Sequence, residues 1–144
     1  YMGKTYYKEN KLAEAKLAFE KASVTATNNQ AAESRYLIAE ILYKEGKKPE
    51  AEQQCNSANE ANTAYPYWIA KSLMLMSDIY VERNDYFNAR AALEAIIENF
   101  SDDKDLMSAA EDKLKKVEEL EKQKTRIKTN SSNSLLEMQS GNGN

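Results

Sequence analysis

Small and apolar residues recur along this chain with the period of a helix. Ala15, Phe19 and Ala22 stand at i, i+4 and i+7, and the same spacing joins Ala51, Cys55 and Ala58, then Ala89, Leu93 and Ile96. A stripe of that kind turns one face of an α-helix toward a core. Twelve residues before each leading alanine stands another small residue, Gly3, Ala39 or Ser77, where two helix backbones are expected to approach closely. Between the two lies a polar interruption each time: Glu9-Asn10-Lys11, Glu45-Gly46-Lys47-Lys48 and Arg83-Asn84-Asp85. The pattern predicts helix pairs at 1–9 with 11–25, 29–45 with 48–61, and 66–83 with 86–99. Pro49 and Pro66 fall in first turns, where a missing N–H costs nothing, and Asp85 is placed to cap its helix.

The pairs are copies of one unit. The stretch from Tyr7 to Ala15 returns as Tyr43 to Ala51 after 36 residues and, more loosely, as Val81 to Ala89 after a further 38. Each unit is a helix hairpin, and the extra residues fall between hairpins. Two extra residues before the third hairpin predict a first helix lengthened by about a turn, with Trp68 plugging the seam between repeats.

These residues resemble the tetratricopeptide repeat family. Gly3, Tyr6, Ala15, Phe19 and Ala22 stand at the family's spacing, as do Ala39, Ala51 and Ala58, and then Ser77, Tyr80 and Ala89. Cys55 replaces the family's aromatic, Leu93 and Ile96 replace its usual pair, and Thr27, Thr63 and Ser101 stand where its proline belongs. The resemblance covers residues 1 to about 100. It implies an all-α fold, an α-solenoid of three antiparallel hairpins over 1–100, the first one truncated. The segments YKEGKKPEAE and YPYWIAKSLMLMSDIY resemble those of long bacterial tetratricopeptide proteins, which implies the cell envelope or periplasm, with the cytoplasm as the alternative.

Beyond the hairpins, Ser101-Asp102-Asp103 reads as a cap with an acidic first turn. Leu106, Ala110, Leu114, Val117 and Leu120 line one face of the helix that follows. With Lys and Glu on its other faces, 101–124 is expected to cap the open end of the stack. From Thr125 the composition turns polar and almost uncharged, so 125–144 reads as a flexible tail with a small apolar island at Leu135–Met138. Tyr1 falls partway along a first helix, and the chain reads as the C-terminal piece of a longer array.

Composition narrows the chemistry. Four glycines and two prolines leave little room for strand hairpins, and twenty basic against twenty-three acidic residues give a net charge of −3. That balance argues against a nucleic-acid protein, which would show a basic stripe able to displace counterions. No apolar run reaches the length of a membrane span, so no membrane insertion is expected. The absence of histidine removes Ser-His-Asp and Cys-His nucleophile systems, histidine zinc sites and histidine proton shuttles. Cys55 is a small core filler with no neighbouring base. Asp102, Asp103 and Asp105 lack the glycine and distal glutamate of a calcium loop. No catalytic residue, metal or cofactor is expected, and the chain is read as non-enzymatic.

Binding is the remaining class. The resemblance implies that the first helices line a concave groove that receives a peptide or protein segment. By register the groove residues are Lys4, Tyr7 and Lys8, then Glu33, Tyr36, Glu40, Tyr43 and Lys44, then Lys71, Met74, Asp78 and Glu82. Lys4 and Leu37 stand where a carboxylate-gripping subclass has asparagines, so that mode is not expected. The alternative is a structural spacer that positions other domains.

Overall fold

The structure, a computed structural model, describes residues 2–25 and 28–141. Tyr1, Thr27 at a family proline position, and the last three residues of the expected tail lie outside them. Seven helices occur among the described residues: α1 (Met2–Lys8), α2 (Leu12–Thr25), α3 (Asn29–Lys44), α4 (Lys48–Ala61), α5 (Pro66–Glu82), α6 (Tyr86–Asn99) and α7 (Lys104–Ser140). All seven begin within two residues of the helix starts read from periodicity.

The three hairpin turns are built alike. Asn10, Gly46 and Asn84 adopt φ of 60°, 79° and 59°, and they are equivalent positions of the three copies. In each, the left-handed residue donates three residues back, to the carbonyls of Tyr7, Tyr43 and Val81. The next residue donates five back, to Tyr6, Leu42 and Tyr80. This is the Schellman closure of a helix. It requires glycine or the few side chains, asparagine among them, that tolerate left-handed backbone. The Glu-Asn-Lys, Glu-Gly-Lys and Arg-Asn-Asp interruptions are therefore one turn written three ways.

Within each hairpin the close approach is real. A Cβ added at Gly3 would lie 2.5 Å from Cε1 and 2.6 Å from Cδ1 of Phe19, a fully buried ring. Where the first copy pairs glycine with phenylalanine, the second has Ala39 with Cys55 and the third Ser77 with Leu93. All six are buried. Where the first-helix residue carries a Cβ, as in Ala39 and Ser77, its counterpart is smaller than phenylalanine, as dense packing demands.

Successive hairpins stack, α2 on α3, α4 on α5, and α6 on α7. First helices also meet one another, α3 with α5 and α5 with α7, whereas α2, α4 and α6 make no such contacts. From α3 through α5 to α7 the first helices thus line the closely spaced side of the stack, while α1 reaches α3 through side chains. One core cluster runs from Ala15 and Phe19 through Ile38 and Ile41 to Cys55 and Ile79, and a second joins Ala89, Leu93 and Ile96 to Ala110 and Val117. Leu73 and Tyr80 of α5 touch both.

Two expectations need correction. α5 has 17 residues against 16 in α3, so the wider repeat spacing lengthens the first helix by one residue rather than a turn. The other extra residue goes into the connection, where Tyr65 N–H donates to the Asn62 carbonyl at 2.8 Å. The larger difference is α7, a single helix of 37 residues ending at Ser140, where a flexible tail was expected from 125. Between Thr125 and Ser140 no glycine or proline interrupts the chain; the first is Gly141. Extending an established helix costs far less than nucleating one. Thr125 and Thr129 also return hydroxyl bonds to the carbonyls of Glu121 and Thr125, each at 3.0 Å.

Candidate functional site

The side chains expected in a groove come from the exposed edges of α1, α3 and α5, which the hairpin turns hold in register. Most of them are joined to each other from helix to helix. Lys4 of α1 pairs with Glu33 of α3 at 2.5 Å. Lys44 Nζ of α3 donates to Tyr7 Oη of α1 at 2.5 Å and lies 4.4 Å from the centre of that ring, beside its hydroxyl end. Glu40 adds a looser contact to Lys44 at 3.8 Å. Tyr7 in turn meets Phe19 edge-on, ring centres 6.2 Å apart. Burial pushes its phenol above the ordinary value, and the hydrogen bond to Tyr7 raises Lys44.

Between α3 and α5 the link is Tyr43, whose hydroxyl donates to Glu82 Oε1 at 2.6 Å. Glu82 Oε2 also takes Lys48 at 2.7 Å. Lys48, then Tyr43, hold the Glu82 carboxyl below the usual range, and the bond to Glu82 is the main reason the Tyr43 phenol rises to about 12. Between α5 and α7 the link is Asp78 with Lys113, at 2.5 Å. Lys8 is exposed, and Met74 packs at the margin of the second core cluster.

Tyr36 departs from the expected groove position, because its ring is 7% exposed. It is covered by Trp68, stacked at 5.7 Å and 30°, and by Lys71, 5.6 Å from the ring centre. Trp68 Nε1 donates to Asn29 Oδ1 at 2.8 Å, which spans the seam between α3 and α5.

Periodicity did not single out Lys48, Lys113 or Asn62. Asn62 is fully buried just after α4. It donates to the Ala32 carbonyl at 3.2 Å and accepts from Arg35 at 2.9 Å. Arg35 reaches on to the Ser23 carbonyl at 3.1 Å, so one amide fastens the joint between hairpins. Lys113 carries a usable signal, since α7 sits against α5 as a further first helix would.

A family model described as tetratricopeptide repeat matches residues 67–103, which run from the second residue of α5 through α6 to the cap of α7. Residues 67–103 are therefore similar to a tetratricopeptide repeat. Comparison with curated proteins returns no match. The tetratricopeptide repeat matched is the third hairpin, the one whose sequence copy is loosest against the first. The other two hairpins share its turn, its 12-residue offset and its buried stripe. A tetratricopeptide repeat is a protein–protein interaction module.

Proposed function

We propose that this chain is a non-enzymatic interaction scaffold that takes a peptide or protein segment along the row of first helices α1, α3 and α5. The observation that carries this reading is the row of half-exposed tyrosines and charges on the closely spaced side of the stack, with Tyr43–Glu82 at its middle. Tyrosine offers flat apolar area and a hydroxyl at small entropy cost. The paired charges can exchange their partners for those of a ligand. A hollow of about 180 Å³ between Asp78, Val81, Lys113 and Val117 continues the row onto α7.

The spacer reading keeps one observation of its own. Most polar groups in the row already have a partner within the chain, which is what a purely structural seam requires. A peptide selected from a random display library against the whole chain separates the two. The double variant Lys44→Glu and Asp78→Lys should weaken such a peptide about tenfold or more while circular dichroism stays unchanged. A selected peptide that binds the variant equally well would sink the inner-row reading.

A further inference from the structure

α7 leaves the stack beside the turn between α5 and α6, and the surface there differs from the inner row. Lys122, Lys124, Arg126 and Lys128 fall within seven residues that contain no carboxylate, in a chain whose net charge is −3. All four are exposed. Lys124 donates to the Asn84 carbonyl at 3.2 Å and lies 5.4 Å from the Tyr86 ring centre, pinning α7 to the turn. Lys122, Arg126 and Lys128 make no ion pair among the described residues.

Hollows flank the helix on both sides at this point. One of about 600 Å³ lies between Arg90 of α6 and the Glu121–Arg126 stretch; another of about 300 Å³ lies between Tyr86 and Ile127 with Lys128 at its rim. A third, lined by Tyr86, Phe87 and Lys124, shares walls with both. Phe87 is 70% exposed and Ile127 67%, and they line neighbouring hollows that share Tyr86 and Lys124, which together form a cleft beside the turn. The carboxylates nearby are mostly committed: Asp85 accepts from Asn88 at 2.7 Å, and Glu121 from Arg90 at 3.2 Å. Glu118, Glu121 and Asp85 line the hollows against five cations, which leaves an excess of two positive charges.

We propose that this cleft is a second docking site, for an acidic peptide that carries an aromatic or branched apolar side chain. Unpaired cations at the rim steer and orient such a segment, and Phe87 and Ile127 give its apolar side chain a place to leave water. The site uses α6, the α5–α6 turn and α7, so it is separate from the inner row of α1, α3 and α5.

Fluorescence anisotropy of the whole chain with a labelled glutamate-rich peptide, phenylalanine at every fourth position, tests it. The expected result is saturable binding that weakens with added salt. Arg126→Glu with Lys128→Glu should weaken it about tenfold or more, and Ile127→Ser should weaken it as well. All three residues are exposed, so helical content should hold. Lys44→Glu with Asp78→Lys should leave it unchanged, which separates failure here from failure of the inner row. Absence of saturable binding overturns the proposal, as does binding that survives the charge reversals. So does equal binding of a peptide without phenylalanine, or attachment to phosphatidylserine vesicles in place of the peptide.

Discussion

Tyr43 and Glu82 are 39 residues apart in sequence and share a 2.6 Å hydrogen bond that ties the end of α3 to the end of α5. Neither belongs to the buried stripes. The bond sits on the surface that the two first helices present together, and Lys48 completes it from the start of α4.

The first prediction concerns that link. Lys48 and Tyr43 stabilise the ionised Glu82, so its carboxyl should titrate below the ordinary carboxylate range. Lys48→Gln should raise it most and Tyr43→Phe less. Side-chain NMR titration of Glu82 would read both shifts. An ordinary value in the unaltered protein would mean the link does not persist in solution.

Alkaline pH should destabilise the chain through Tyr43 and Cys55. Hydrogen bonding to Glu82 raises the Tyr43 phenol from 10.0 to about 12, and burial raises the Cys55 thiol from 9.0 to about 12. Folded-state values above the unfolded ones mean a contribution fully present below the unfolded values and lost as pH climbs to about 12. Urea midpoints should therefore fall steadily through that window. Midpoints that stay level across it would contradict the account.

Gly3 and Phe19 should behave as one unit. Gly3→Ala places a Cβ against a ring that has nowhere to move, and should destabilise by about 1–3 kcal/mol. Adding Phe19→Leu should recover much of the loss, because it recreates the size relation of Ser77 and Leu93. Chemical denaturation of both variants checks this. A double variant weaker than the sum of its singles would argue against the shared contact.

Asn62 should be sensitive out of proportion to its size. Asn62→Leu keeps the volume but leaves the Ala32 carbonyl and Arg35 without their buried partner, a loss of about 1–3 kcal/mol. A thermal midpoint unchanged by this substitution would show that the joint between the first and second hairpins is held by other contacts.

How much of this was legible beforehand follows from which interactions are periodic. The stripes from Ala15, Ala51 and Ala89, the polar turns and the prolines at first turns repeat at fixed offsets, and helix order and hairpin pairing came directly from them. Asp85 as a cap followed in the same way, and its side chain accepts the Asn88 N–H at 3.2 Å. The inner-row pairs were not legible, because register places Tyr43 and Glu82 on one side without saying which long side chain reaches which. Asn62 was hidden because polar residues in a connection normally face water. The helical course of 125–140 was missed because serine, threonine and asparagine form helices poorly alone, while here they continue a helix already begun at Lys104.

The central claim is that a ligand segment lies across α3 and α5. Backbone amide NMR of the whole chain, titrated with a display-selected peptide, tests it most directly. The largest shifts should cluster at Tyr43, Lys44, Asp78 and Glu82, with Leu17 and Val24 on the exposed side of α2 unmoved. Shifts scattered over the stack, or gathered on α2 and α4 instead, would contradict it.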